Sequence, residues 1–165
     1  MTLTPKRLTI LGIVAAVAVG YILVKALWVT DKEKLHRLVS NLEQAVEAHD
    51  AEGCVALVDE ESWDWLGTRA ELVALLERLF AAYDPVQVRV VREEVQAQPP
   101  RGTARVLTIV VLGPRSPWPG PVNNTWMLTC IKRDGRWLIS RARVTLQDGS
   151  EETVQTLANR AKQQR

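Results

Sequence analysis

The stretch of sequence that decides the fold is MLTCIKRDGRWLIS, at residues 127–140. Apolar and polar residues alternate on both sides of Arg133-Asp134-Gly135-Arg136, which is the pattern of two strands joined by a tight turn. The same alternation begins at Val86 and predicts two earlier strands. The four expected strands occupy residues 86–98, 103–112, 125–132 and 137–146. Because most of the connections have hairpin length, the sequence predicts an antiparallel sheet.

Three helices are predicted before the sheet. Residues 31–49 carry apolar side chains at helical spacing and follow a capping box at residues 30–33. Asp50 can cap a short second helix. A second capping box at residues 68–71 begins a third helix, which the Asp84-Pro85 pair ends. Three helices followed by about four strands indicate an α+β domain, in which one sheet face packs against the helices.

The N-terminal segment has the properties of a membrane anchor. Residues 8–24 carry no charge, and the apolar character resumes after one lysine and continues to Val29. This length suffices to cross a bilayer if the lysine extends toward the surface. A cleaved signal peptide is the alternative, but the apolar residues 21–24 would then begin the mature chain. The residues expected at the membrane boundary are Lys6, Arg7, Lys25 and Trp28.

The anchor divides the chain into three parts. Residues 1–30 form the N-terminal tail and transmembrane helix, residues 31–146 form the domain, and residues 147–165 form a polar tail that is expected to be a short helix. The basic residues on the two sides of residues 8–29 nearly balance. Because short basic N-terminal tails usually stay inside, we expect the domain on the exported side of the membrane.

Composition and charge restrict the possible functions. The 165 residues are 47% hydrophobic and 24% charged, which is typical of a globular domain with an appendage. The net charge of +2 is too small to indicate nucleic-acid binding. Residues 31–94 contain 7 basic and 15 acidic residues, whereas residues 95–165 contain 11 basic and 4 acidic ones. This asymmetry indicates either complementary surfaces within one molecule or association of two copies, acidic on basic.

Groups suited to catalysis or metal binding are few. The histidines are His36 and His49, and Tyr83 is the phenol of the domain. They do not form a general base with a facing oxyanion donor, so no catalytic residue is assigned. Cys54 and Cys130 lack the spacing of metal ligands, so neither a metal nor a cofactor is expected. The two cysteines could form a disulfide, and two buried thiols are the alternative.

Aromatic residues are candidates for a ligand site. Strand alternation places Trp137 on the same face as Arg141 and Arg143, which indicates that this face is partly wet because arginine is rarely buried unpaired. The aromatic residues either form a core or line the rim of a cavity for an apolar ligand. They are Trp63, Trp65, Tyr83, Trp126 and Trp137.

The loop at residues 113–121 is a second candidate recognition site. Its four prolines make it stiff and extended, and Trp118 at its centre has no periodic partner. Because tryptophan and arginine are enriched at interface hot spots, Arg115 and Trp118 could contact a protein partner. The alternative is a simple connection whose tryptophan packs on the sheet.

The chain after the anchor resembles the nuclear-transport-factor-2-like superfamily, which is also called SnoaL-like. The resemblance covers residues 31–146 and is carried by AVEAHD at residues 45–50, the helix at residues 68–83 and the hairpin at residues 127–140. It implies a cone-like fold, in which a bent sheet wraps the first helix and leaves a cavity open at one end. Members of the superfamily use that cavity for isomerase, dehydratase or cyclase chemistry, or serve with little cavity as dimerisation and assembly modules.

The sequence therefore predicts a single-pass membrane protein whose domain serves protein assembly or interaction, including dimerisation, without catalysis. The alternative is binding of a small apolar ligand, or isomerase or lyase chemistry, in the cone cavity. The expected partners are the lipid bilayer, through residues 8–29, and a protein or a second copy, with no nucleic acid.

Overall fold

The computed structural model describes residues 30–62, 67–114, 120–146 and 149–153. Within them lie three α-helices, a short 3-10 helix at Glu60–Ser62 and one five-stranded sheet. The α-helices are α1 (Asp31–Glu47), α2 (Ala51–Val55) and α3 (Arg69–Tyr83). The strands are β1 (Gln87–Gln98), β2 (Arg101–Val111), β3 (Val122–Arg133), β4 (Arg136–Thr145) and β5 (Glu151–Thr153).

The predicted α+β class is confirmed, with helices packed on an antiparallel sheet whose strand order is β1-β2-β3-β4-β5. The sheet has five strands instead of the expected four. The fifth, β5, lies in the tail for which the sequence predicts a helix, so that prediction is wrong for these three residues. They pair with the end of β4, where Thr145 lies opposite Glu151, and so cover an edge of backbone groups that would otherwise be unpaired.

The helices α2 and α3 begin where the sequence predicts. Asp50 Oδ1 accepts a hydrogen bond from Gly53 N at 2.8 Å. At α3, Thr68 Oγ1 accepts from Glu71 N at 3.3 Å, and Glu71 Oε2 accepts from Thr68 N at 2.7 Å. These local bonds satisfy backbone donors of the first helical turn that have no partner within the helix.

Several predicted features lie outside the described residues. They are the anchor at residues 8–29 with Lys6, Arg7, Lys25 and Trp28, the ring residues Trp63 and Trp65, and the loop residues Arg115 and Trp118. Among the described residues, no helix has both the length and the apolar character needed to cross a membrane.

The core lies between α1 and the inner face of the sheet, which is the face turned toward the helices. Leu35 of α1 is completely buried, near Gly102 of β2 and Trp137 of β4. Farther along α1, Glu43 Oε1 accepts a hydrogen bond from Val90 N of β1 at 2.8 Å. A single helix about 10 Å wide thus contacts β1, β2 and β4, because the sheet bends around it.

Two β-bulges contribute to this bend and change which residues face the core. The bulge in β1 leaves Val91 unpaired between Val90 and Arg92. The bulge in β4 leaves Ser140 unpaired. Each extra residue shifts the alternation of the residues after it to the other face.

The bulge at Ser140 corrects the prediction for the face of Trp137. Before the bulge, Trp137 and Ile139 are buried, and after it the buried residues are Ala142 and Val144. Arg141 and Arg143 therefore point away from the core. The arginines thus lie on the opposite side of the sheet from Trp137.

Candidate functional site

The outer face of the sheet, which is turned away from α1, carries exposed apolar side chains. In β2 the buried residues are at even positions from Gly102 to Thr108, so Leu107, Ile109 and Val111 lie on the outer face. The large apolar residues most exposed in the described part of the chain all belong to this sheet: Val91 at 53%, Val111 at 37% and Met127 at 37%. Such a patch has no role in the core of this domain.

A continuous row of side chains crosses the outer face. Strand register places Glu94 opposite Arg105, Arg105 opposite Met127, Met127 opposite Arg143, and Arg143 opposite Thr153. Side chains directly opposite each other on adjacent antiparallel strands lie about 5 Å apart. The methionine thus lies between two guanidinium groups. These three residues line a shallow cavity of about 190 Å³ together with Thr125, Thr145 and Glu151.

The outer face is strongly basic. Away from the β3–β4 turn, its arginines are Arg89, Arg92, Arg101, Arg105, Arg141 and Arg143. Within the described residues the only ion pair of this set joins Arg92 and Glu94, at 2.7 Å between Nη2 and Oε1. The segment that holds the helices, residues 31–84, carries instead 13 acidic and 5 basic residues.

Among the described residues, the ion pairs that join the helical segment to lysine and arginine residues of the sheet all lie at the β3–β4 turn. There Lys132 Nζ lies 2.6 Å from Asp31 Oδ1, and Arg133 Nε lies 2.8 Å from Asp59 Oδ1. Among the described residues, none of the outer-face arginines named above forms an ion pair with the helical segment. Complementarity within one molecule therefore accounts for part of the charge asymmetry and leaves the outer face basic.

Trp137 has a structural role at the start of α1. Its ring is buried, and its Nε1 donates a hydrogen bond to Asp31 Oδ1 at 3.1 Å. The hydrogen bond from Lys132 to the same carboxylate is the main reason why the pKa of Asp31 is lowered, and the bond from Trp137 adds to it. The indole joins β4 to the first turn of α1.

The structure does not bring the described aromatic candidates into one site. Trp126 packs against the core on the inner face of β3, between Val106 and Val144. Tyr83 lies half-buried at the end of α3, where its carbonyl accepts a hydrogen bond from Gly113 N at 3.0 Å. A ligand rim built from these rings stays a prediction.

Polar side chains on the inner face were not indicated by the sequence. Glu93 and Glu152 lie at the two ends of the row that contains Trp126, and Glu152 is buried. Glu93 Oε2 lies 3.1 Å from His36 Nδ1 of α1. Asn124 lies in the next inward-facing row, opposite Thr108. Its amide oxygen Oδ1 is buried and has no hydrogen-bond partner among the described residues. Uninterrupted alternation along β1 would place Glu93 on the outer face. The bulge at Val91 shifts the alternation, so Glu93 lies on the inner face.

The cysteines are free thiols, so the possible disulfide between Cys54 and Cys130 is not formed. Both side chains are buried in the core cluster and pack there as small apolar groups. Burial raises the pKa of Cys54 to about 11 and that of Cys130 to about 12. In the part of the chain that the structure describes, no three His, Cys, Asp or Glu side chains are grouped as metal ligands.

The domain has the fold of nuclear-transport-factor-2-like proteins, also called cystatin-like. A nuclear-transport-factor-2-like protein from Novosphingobium aromaticivorans superimposes with a TM-score of 0.58 and 21% identity, over 81% of this chain and 90% of that chain. A candidate scytalone dehydratase from the same organism gives 0.57 and 13%, over 72% and 84%. A candidate calcium/calmodulin-dependent protein kinase II association domain from Xanthomonas campestris gives 0.58 and 12%, over 74% and 91%.

These likenesses show the fold and do not transfer an activity, because the sequence identities are low. The chain spans only 38% of a Bdellovibrio bacteriovorus protein that it matches with a TM-score of 0.56 and 15% identity over 67% of this chain. No protein-family model matches the chain, and no curated protein matches it by sequence. Proteins with this fold thus include both a candidate enzyme and a candidate association domain.

Proposed function

We propose that the domain is a non-catalytic protein-interaction module whose contact surface is the outer face of the sheet. The observation that carries this proposal is the row in which Met127 lies between Arg105 and Arg143 beside an exposed apolar patch. Methionine and arginine are enriched in protein interfaces, and exposed apolar patches with polar borders mark interaction sites. The likeness to a candidate association domain is consistent with this use of the fold.

The positive charge of the outer face indicates which kind of partner it can bind. Away from the β3–β4 turn, six arginines lie on this face, against the carboxylates of Glu94 and Glu151. A symmetric dimer that uses this face on both copies would place arginines opposite arginines, which is repulsive. We therefore propose a partner protein that presents an acidic surface with apolar groups at its centre.

Reversal of two central charges tests this contact. In the full chain, Arg105→Glu with Arg143→Glu is expected to reduce the crosslinked complex formed in membranes about tenfold or more, because central interface arginines are frequent hot spots. The matched control is Lys32→Glu with Arg78→Glu, which changes the net charge equally on the helical side and should leave the complex intact. Equal yields from the wild-type chain and the double variant would contradict the proposal, as would a strict monomer in every sample.

We further propose that residues 8–29 anchor the domain in a membrane and that the domain lies on the exported side. The uncharged residues 8–24 and the basic residues before them support this proposal. Its consequence is that the interaction surface is confined to the neighbourhood of a bilayer, where a weak contact with another membrane protein is strengthened by their shared location.

Two charges in the apolar segment test the anchor. A charged residue at the centre of a spanning helix costs about 3 kcal/mol, so Val14→Arg with Val17→Arg should release the chain from membranes during alkaline extraction. Gln163→Arg with Gln164→Arg adds the same charge in the tail and should leave the chain in the membrane. An intact mass that lacks the first residues would show cleavage, and digestion by protease from the cytoplasmic side would place the domain inside.

Ligand binding or catalysis in the interior of the domain is a second candidate function, which a buried carboxylate favours. Glu152 is a buried carboxylate on the inner face, and the fold also occurs in a candidate dehydratase. Glu152→Gln keeps the shape of the side chain and removes its charge. If the interior binds a small apolar ligand, 2-naphthol should quench Trp126 in the wild-type chain and less so in this variant. Absence of saturable quenching would contradict this alternative.

A further inference from the structure

A groove of about 270 Å³ lies between α1, the residues that follow α2, and the β3–β4 turn. Its cations are Lys34 and Arg37 of α1 and Arg136 at the start of β4. Leu38, Leu57 and Leu138 provide apolar surface between them. The groove shares no residue with the row of Arg105, Met127 and Arg143, so it is a separate site.

The cations of the groove have no ion-pair partner among the described residues, although the charge of Lys34 helps to lower the pKa of Asp31. None of the residues that line the groove is acidic. The adjacent cations Lys132 and Arg133 of the same hairpin are both paired, with Asp31 and Asp59. Cations around an apolar surface suit an anion that also carries apolar groups.

The position of the groove in the chain limits where such an anion can come from. Lys34 follows Val29, the last residue of the proposed anchor, by five positions. Five residues span at most about 18 Å when fully extended. This short connection favours an anion that comes from the bilayer in which the proposed anchor lies.

We propose that this groove binds the headgroup of an anionic phospholipid. The phosphate accepts hydrogen bonds from the lysine and the two arginines, and the first carbons of the lipid contact the leucines. The inference rests on the proposed anchor. An acidic protein segment would match the charge equally well, but only the lipid is also favoured by the short connection to the membrane.

The test uses the full chain in detergent micelles, titrated with phosphatidylglycerol or phosphatidylcholine and observed by native mass spectrometry. Each cation near an anionic lipid surface contributes about fivefold in affinity, so Lys34→Gln with Arg37→Gln should weaken phosphatidylglycerol binding about 25-fold. Arg78→Gln with Arg160→Gln removes the same charge outside the groove and should leave the affinity unchanged. Thermal unfolding of each variant checks that it is folded.

Several results would overturn the inference. Equal affinity for phosphatidylglycerol and phosphatidylcholine, or an equal loss in the control variant, would show that the groove does not select the lipid. Equally tight binding of glycerol phosphate would assign the groove to a free anion, and tighter binding of a hexaglutamate peptide would assign it to an acidic protein. A chain that resists alkaline extraction but shows no lipid preference refutes only this inference, whereas a chain released by that extraction refutes the anchor.

Discussion

Replacing Leu35 by alanine is expected to lower the free energy of unfolding by about 3 kcal/mol, the usual cost of removing a buried leucine side chain. The residue is 0% exposed. It packs where Gly102 leaves room, since a Cβ at that glycine would lie 2.9 Å from Leu35 Cδ1 and 3.0 Å from Trp137 Cζ3. Because a helix and two strands enclose the site, truncation is expected to leave a cavity that closes only in part. Urea unfolding of the full chain in micelles measures the change.

An exposed apolar residue provides the control for Leu35. Val91 is 53% exposed at the bulge of β1. Val91→Ala should change the free energy of unfolding by no more than about 0.5 kcal/mol, as is usual for surface substitutions. Similar losses in the two variants would mean that α1 does not fill the inner face of the sheet.

Replacing Asp59 by alanine is expected to destabilise the domain by about 2 kcal/mol, because it removes a buried carboxylate that accepts hydrogen bonds from Arg133 and Ser62. Asp59 is 2% exposed, and its carboxylate accepts hydrogen bonds from Arg133 Nη2 at 3.2 Å and from Ser62 Oγ. Its backbone N donates to Ile139 O at 3.0 Å. The residue thus attaches the connection after α2 to β4, and urea unfolding of the full chain measures its loss.

A second carboxylate on the same arginine provides the control for Asp59. Glu61 Oε2 lies 2.8 Å from Arg133 Nη2, but its side chain is 75% exposed. Glu61→Ala should cost less than about 1 kcal/mol, since solvent screens exposed pairs. If both alanine variants lost the same stability, the effect of Asp59 would not come from burial.

The parts of the fold that the sequence predicts are those that depend on neighbouring residues. The capping boxes involve residues three positions apart, so Thr68 and Glu71 predict the start of α3 without any tertiary contact. The β3–β4 turn is indicated in the same way by Asp134 and Gly135, which both have positive φ. Alternation then predicts four of the strands to within a few residues of their ends.

The outer-face row could not be predicted, because it depends on the register of five strands. A bulge moves every later residue of its strand to the other face, and neither Val91 nor Ser140 differs from an ordinary strand residue. Uninterrupted alternation therefore places Arg143 with Trp137, whereas the structure places it beside Met127. The strand β5 is likewise hidden, since three residues are too few to show a period.

The reactivity of the two buried thiols can be used to measure local unfolding of the domain. Cys54 lies in α2 and Cys130 in β3, and the chain has no other cysteine. Because burial and the raised pKa values suppress the reactive thiolate, an alkylating reagent at neutral pH can reach either sulfur only when the surrounding structure separates. Labelling rates at the two positions would therefore show whether the helical layer detaches before the sheet or together with it.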